Sequence, residues 1–294
     1  MLRMLDMYMQ VICIATATVC LLLPLARAQE PATFITYTHQ MEEPGNLEIE
    51  DHSVIGKPDG GNRFLGSALE FEYGVQGWWT TEFYLDGQAT THDSAIFTGF
   101  RWENRFRLAS GEHWINPVLY LEFEDINGAD KGLLEVVGND GQADLLDSNA
   151  DSREEREREI EAKLILGSYA EGWTIAENFI AEKNLAAGEP FEFGYAVAVT
   201  RPLALKARAT ECTFCPENFQ AGVEAYGGLG THRNFGLADT SHYIAGLLAW
   251  SLPNGVTLKF SPGFGLTGSS VPFLFRVGVA YEIEQVGRWF RSRR

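Results

Sequence analysis

Residues 64–86 read FLGSALEFEYGVQGWWTTEFYLD, and this stretch decides the fold. On both sides of the turn at 74–77, apolar and polar residues alternate with a period of two, the pattern of an amphipathic β-strand. Before the turn, one face carries Leu69, Phe71 and Tyr73, and the other carries Glu70 and Glu72. The stretch therefore predicts a β-hairpin with one apolar face and one charged face.

The same period recurs along most of the chain, and no helical stripe of useful length appears. We predict twelve strands, near 47–54, 65–75, 78–89, 95–108, 113–125, 159–168, 173–183, 191–201, 219–230, 241–252, 256–265 and 273–283. The first is the weakest, because residues 34–41 compete for its place. A length of about ten residues matches a tilted β-strand that crosses a bilayer.

Five of the seven tryptophans sit beside short turns, namely Trp78, Trp79, Trp114, Trp173 and Trp250. A ring of tryptophans at one end of amphipathic strands marks a membrane–water interface. The sequence therefore predicts an all-β, transmembrane, antiparallel up-and-down β-barrel. A soluble β-sandwich explains the alternation equally well. It leaves the tryptophan ring unexplained and would expose large apolar patches to water.

The links alternate in length, with tight turns at 74–77, 109–112, 170–172 and 253–255 and longer loops at 54–64, 126–158, 184–190, 231–240 and 266–272. In bacterial outer-membrane barrels the short turns face the periplasm and the longer loops face outside. The tryptophan ring and both chain ends are therefore expected on the periplasmic side.

Residues 1–28 read as a signal peptide, and residues 29–294 as the barrel. Residues 11–25 form an apolar run, and Ala26-Arg27-Ala28 supplies a cleavage site after Ala28. An uncleaved anchor is the alternative. The predicted location is the bacterial outer membrane, with its lipid and lipopolysaccharide as partners. The formal charge of −17 argues against a nucleic-acid partner.

The inward faces of the predicted strands carry most of the charge. The candidate lumen-lining residues are Glu70, Glu72, Glu82, Asp86, Arg101, Glu103, Arg105, Arg107, Glu122, Glu124, Lys259 and Arg276. Opposite charges are expected to pair across strands. Twelve strands leave a narrow lumen, between the filled eight-stranded and the open sixteen-stranded barrel. The charges either select a solute or only stiffen a wet wall.

The longest predicted loop, 126–158, contains nine acidic and four basic residues. Charge runs of this kind usually form a solvated, flexible loop, which is the favoured interpretation. Two alternatives are an inward fold that constricts the pore and a surface site for divalent cations.

Two short motifs were weighed for chemistry. Cys212 and Cys215 are the cysteines left in the mature chain, and in an exported protein a disulfide is favoured over a redox or zinc pair. Ser241 and His242 are adjacent, so on a strand they point to opposite faces, which argues against a catalytic pair. The sequence predicts no catalytic residue, no metal site and no cofactor.

Three segments carry a resemblance to a known family: Asn62–Gly66 leading into Leu69–Gly74, followed by Trp78–Phe83. They resemble bacterial outer-membrane proteins described as transporter-like or linked to the meta-pathway of phenol degradation. The resemblance implies a barrel that passes small organic compounds, and it carries no catalytic residues. The leading hypothesis is a channel or transporter-like barrel. The alternatives are a plugged structural or surface-interaction barrel and an outer-membrane lipid hydrolase.

The disulfide gives the first testable prediction. Protein prepared without reductant should show no reactive thiol, and two should appear after reduction, because Cys13 and Cys20 leave with the signal peptide. Quantitative thiol labelling under denaturing conditions measures both states. Free thiols before reduction would contradict the disulfide.

Overall fold

The structure, a computed structural model, describes residues 31–132, 136–186, 188–206 and 212–286. Within them thirteen strands form one sheet. They are β1 (Leu47–Gly56), β2 (Phe64–Gln76), β3 (Trp79–Thr90), β4 (Ala95–Arg107), β5 (Asn116–Asn127), β6 (Arg156–Ala170), β7 (Trp173–Asn184), β8 (Phe191–Pro202), β9 (Phe219–Thr231), β10 (Asn234–Phe235), β11 (His242–Ser251), β12 (Val256–Gly265) and β13 (Phe273–Ile283).

Twelve of the strands close into an antiparallel barrel, which confirms the predicted fold class. Each pairs with its neighbour in the chain, and β1 closes the ring by pairing with β13 from Leu47–Ile283 to Gly56–Leu274. The two-residue β10 only extends a hairpin on β9, so β9 pairs with β8 and β11 in the ring. Closure removes exposed strand edges, a requirement for sheets in a bilayer.

The two ends of the barrel differ in their connections. At the end we call the turn end, β6 and β7 are joined by two residues, and both β1 and β13 have their chain-terminal ends there. All five predicted interface tryptophans lie at this end, with Trp78, Trp114 and Trp173 exposed. The opposite, loop end carries the long connections, including residues 128–155. The role of the five tryptophans as a membrane-interface belt remains a prediction.

The two faces of the strands have opposite chemistry. In β7 exposed and buried residues alternate cleanly, with Ile175 and Phe179 outside and Asn178 and Glu182 inside. This strand therefore needs no bulge, although its sequence mixes the two faces. An apolar outer wall around a polar interior is the pattern of a barrel surrounded by lipid.

The lumen is not empty. Residues 31–46, which form neither helix nor strand, enter it from the turn end, reach about half the depth of the barrel and return to β1. Residues 34–41 therefore lie inside the barrel and do not compete with β1 for a place in its wall. Ala32, Ile35 and His39 are almost completely buried there.

The long connection 128–155 folds into the loop end of the lumen. Lys131, Val136, Val137 and Leu145 are buried, and Gly138 pairs with Gly230 of β9. The expectation of a solvated loop is therefore wrong, and the inward-fold alternative describes the structure. The loop carries apolar residues as well as charged ones. Its apolar residues pack into the mouth of the barrel.

In the described part of the chain, helical structure is limited to short turns such as Asn149–Ser152. No helix in the described ranges is both long and apolar enough to cross a membrane. The predicted signal peptide, residues 1–28, lies outside the described residues.

The outer wall gives the second prediction. Leu121, at the middle of β5 and 41 % exposed, should face the bilayer centre. Leu121→Arg should lower the free energy of unfolding by about 2–4 kcal/mol, because a charge at the bilayer midplane is poorly solvated. Ile115→Arg, just beyond the turn end of the same strand, should cost at most about 1 kcal/mol. Urea unfolding in lipid vesicles measures both. Equal costs would show that this wall does not face lipid.

Candidate functional site

The most unusual feature of the lumen is a continuous row of glutamates. Across nine neighbouring strands, each glutamate lies directly opposite the next in register, namely Glu282, Glu48, Glu72, Glu82, Glu103, Glu122, Glu161, Glu182 and Glu192. The row starts near the turn end on β13 and finishes near the loop end on β8. Like charges directly opposite one another destabilise a sheet, so this glutamate row requires compensation.

Arg105 supplies part of that compensation. It lies two residues from Glu103 on β4, so it faces the same lumen one row nearer the turn end. Its Nε is 2.6 Å from Glu82 and 3.3 Å from Glu103, and its Nη2 also bonds Glu72. One buried guanidinium thus forms ion pairs with three consecutive members of the glutamate row. Charge-assisted bonds of this kind are about twice as strong as neutral ones.

Arg101, two residues on the other side of Glu103, bonds Asp86 through two nitrogens at 3.1 Å and Glu122 at 3.4 Å. Its guanidinium also lies 4.2 Å from the centre of the Tyr84 ring. Both contacts run diagonally across strands, because the residues directly opposite Arg101 are Tyr84 on β3 and Glu124 on β5. The predicted pairing of opposite charges is realised in this diagonal form.

The predicted lumen residues all lie on the inward face, and most are buried. Buried are Glu70, Glu82, Asp86, Arg101, Glu103, Arg105, Glu122, Glu124, Lys259 and Arg276, whereas Glu72 and Arg107 are partly exposed. They line a lumen that is filled with ion pairs and inserted chain. Whether they line a solute path remains a prediction.

Sequence reasoning missed three inward residues of β1: Glu48, Glu50 and His52. Lys259 bonds Glu50 at 2.6 Å, and His52 Nε2 lies 2.7 Å from Glu70. The alternation of β1 was a sufficient signal for them, but that strand was the weakest prediction. Asn178 was missed for a different reason: the sequence of its strand mixes apolar and polar residues on both faces.

The described residues also contain three groups of side chains able to approach a metal ion: Glu50 with His52 and Glu70, Glu70 with Glu72 and Glu82, and Glu124 with Glu159 and Glu182. In the first two, Lys259 and Arg105 already neutralise carboxylates. The third group faces the loop end of the lumen. In the first two groups, ion pairing explains why the carboxylates approach one another. In the third group, the general acidity of the lumen explains it.

Beneath the loop 128–155 lies a cavity of about 440 Å³. Ten carboxylates line it, namely Asp86, Glu124, Asp130, Asp140, Asp144, Asp147, Glu155, Glu157, Glu159 and Glu182. Among the described lining residues Arg101 is the one basic side chain. A low-dielectric cleft of one sign concentrates ions of the other, so the cavity favours cations.

Burial changes the acidity of two carboxyls in the inward-folded loop. It raises the pKa of Asp130 to about 6, with nearby Asp86 adding to the effect. Burial, and then Glu192, raises the pKa of Asp140 well above its ordinary value. A raised folded-state pKa means that ionisation opposes burial of the group. The stability that protonated Asp130 gives to the inward-folded loop is therefore lost as the pH rises from its ordinary pKa to about 6.

Cys212 and Cys215 form a disulfide in the β8–β9 connection. Beside it, Phe214 packs 4.8 Å from Trp250, and the Trp250 indole donates a hydrogen bond to the carbonyl of Thr213. The disulfide thus positions an exposed aromatic side chain at the turn end, next to one of the predicted interface tryptophans.

Ser241 and His242 do not contact each other through their side chains among the described hydrogen bonds. The Ser241 hydroxyl donates to the carbonyls of Asp140 and Ser269, whereas the His242 ring bonds Thr240 and Tyr195. Both side chains therefore hold neighbouring loops in place. This structural role is the one that their contacts support.

No protein-family model matches the sequence, and no curated protein matches it. The fold resembles the COG4313 outer membrane channel from Pseudomonas putida F1, with a TM-score of 0.52 and 9% identity over 87% of this chain and 100% of that chain. The KdgM porin (TM-score 0.46, 8% identity, 80% of this chain and 98% of that chain) and the NanC porin (0.47, 10%, 81% and 100%) are also similar. At these identities the likeness shows the fold alone, which is that of outer-membrane β-barrels.

The glutamate row gives the third prediction. Arg105→Gln should lower the free energy of unfolding by about 3–5 kcal/mol, because it leaves buried carboxylates without their base. Adding Glu82→Gln should recover part of that loss. Urea unfolding of the single and double variants measures the coupling. Arg153→Gln, at an exposed loop position, is the control and should change stability by less than about 0.5 kcal/mol. Additive effects of Arg105→Gln and Glu82→Gln would show that the two residues do not interact.

Proposed function

We propose that this protein is a non-enzymatic channel of the bacterial outer membrane that passes a small solute through a narrow, charged lumen and prefers cations. The observation that carries the proposal is the run of carboxylates formed by the glutamate row and the carboxylate-lined cavity next to it. Rings of acidic side chains are how cation channels select by charge. The formal charge of −17 agrees with that sign.

The barrel fold supports the location, since sheets of this kind cross bacterial outer membranes. We assign the turn end, with its five tryptophans, to the periplasm. The loop end, with the acidic cavity, then faces the outside. A solute coming from the medium would meet the cavity first.

The solute class rests on two further observations. The resemblance of residues 62–83 to the phenol-degradation family supports a small organic solute. The excess of carboxylates supports a positive or neutral solute over an anion, because an anion would be repelled along the whole path.

Inserted chain occupies both ends of the lumen. Residues 31–46 fill the turn-end half of the lumen, and residues 128–132 and 136–155 fill much of the loop end. Ile35 and Val136, one from each insertion, belong to the same buried apolar cluster. Passage of a solute therefore requires that at least one insertion moves.

The same filling favours a second candidate, a plugged structural barrel that transports nothing. Under that alternative the glutamate row and its bases only stiffen the wall. The two candidates differ in a single measurable property, which is whether ions cross the barrel.

Ion conduction is the fourth prediction. In a planar bilayer with a KCl gradient, the reversal potential should lie on the side of K⁺. Glu182→Gln should lower the K⁺ preference, because Glu182 belongs both to the glutamate row and to the cavity wall. Glu177→Gln, on the exposed outer face of the same strand, is the matched control and should leave the preference unchanged.

Two results would count against this proposal. One is an absence of conductance both from the full chain and from a variant that lacks residues 31–41, which would favour the plugged barrel. The other is a preference for Cl⁻, which would contradict the assigned charge selectivity and leave the channel itself standing.

A further inference from the structure

The wall of the barrel binds residues 31–41 chiefly through their backbone. The Gln220 side chain accepts a hydrogen bond from the Ala32 N–H at 2.7 Å. One carboxylate oxygen of Glu224 accepts the N–H groups of Ile35 and Thr36, each at 3.2 Å. Two successive N–H groups that converge on one oxygen form an anion-binding arrangement of the backbone.

Asn178 makes the most specific contact. Its Oδ1 accepts the Tyr37 N–H at 2.7 Å, and its Nδ2 donates to the Tyr37 carbonyl at 2.9 Å. A side-chain amide thus satisfies both polar backbone groups of one residue. Further along, Arg107 and Arg105 donate to the carbonyls of His39 and Gln40, both at 3.3 Å.

Two aromatic side chains of the segment, three residues apart, occupy separate places in the wall. The Phe34 ring lies 6.0 Å from the His52 ring and 5.5 Å from Lys259 Nζ, as measured from its centre. The Tyr37 ring packs 5.0 Å from that of Tyr120, and its hydroxyl donates to Glu103 at 2.8 Å. The wall therefore contacts the segment mainly through the backbone of the segment and, in addition, through its two aromatic side chains.

The wall groups are held on strands, whereas the segment has no secondary structure of its own. Asn178 and Glu224 are each 1 % exposed, on β7 and β9, and Glu224 Oε1 has no hydrogen-bond partner in the described structure. Without the segment, Asn178 and Glu224 would lose the backbone groups they bind. A preformed polar wall that a non-helical peptide completes has the properties of a binding site.

The link between the segment and β1 is open to solvent. Glu43 and Pro44 are exposed, and β1 begins only at Leu47. The link therefore offers an accessible point at which the segment can be separated from the wall of the barrel.

We propose that the turn-end half of the lumen is a binding site for short, non-helical peptides with an aromatic pair three residues apart, and that residues 31–41 occupy it as an internal ligand. The site has its own ligand chemistry, so it is tested by binding and not by ion flow. Failure of binding and failure of conductance are thus separate results.

The test uses the variant that lacks residues 31–41, folded in detergent micelles, and a capped fluorescent peptide of sequence PATFITYTHQM, residues 31–41 of the chain. Fluorescence anisotropy should show saturable binding to this variant. The full chain should bind the peptide at least roughly tenfold more weakly, because its own segment occupies the site at high effective concentration.

Two controls test which groups are recognised. A peptide that is N-methylated at the residues matching Ile35 and Tyr37 keeps its side chains but loses two donors, and it should bind at least roughly tenfold more weakly. Asn178→Leu in the deletion variant should weaken the unmodified peptide to a similar extent. Asn184→Leu, at the loop end of the same strand, should not.

If the deletion variant does not fold, the full chain with a protease site inserted between Glu43 and Pro44 is folded first, cut and washed. The freed segment should then dissociate and rebind. Binding of the methylated and unmodified peptides with equal affinity would overturn backbone recognition. An absence of saturable binding to a folded, emptied barrel would overturn the site itself.

Discussion

The structure depends on one electrostatic constraint: the register of the sheet places like charges directly opposite one another across nine strands. Because the register is fixed by outward apolar residues that must all face lipid, it cannot shift by one residue to relieve the repulsion. The relief comes from the neighbouring rows of the lumen. There Arg105 and Arg101 reach diagonally to glutamates on neighbouring strands, and Lys163 Nζ lies 3.0 Å from Glu161 on its own strand.

The same constraint explains why the lumen accepts inserted chain. A narrow polar interior offers donors and acceptors that need partners, and a chain without secondary structure carries unsatisfied backbone groups. Residues 31–41 and the wall complete each other, with Asn178 and Glu224 as the clearest examples. At the loop end, the apolar residues Val136 and Leu145 close the mouth above an acidic cavity. The charges of the lumen and the chain inserted into it are therefore properties of one interior.

How much could be predicted varies with the kind of signal. Strands β2 to β6 follow from a period of two that both faces maintain, so the inward charges from Glu70 to Glu124 were identified. Strand ends were less accurate, since β6 extends to Arg156 inside a run of charges with no visible break. Residues 31–46 and 128–155 were beyond reach. Their placement depends on partners more than a hundred residues away, such as Glu224 for Thr36.

By itself, the sequence determined the barrel class, the approximate strands, the inward charges and the gathering of tryptophans at one end. These follow from local alternation, because a strand exposes its two faces to two different solvents wherever it lies in the chain. Only the tertiary structure decided that the glutamates form one row, which base serves which acid, and that two segments fill the lumen. Register and insertion are relations between distant residues, set by closure of the barrel and by the demand that buried polar groups find partners.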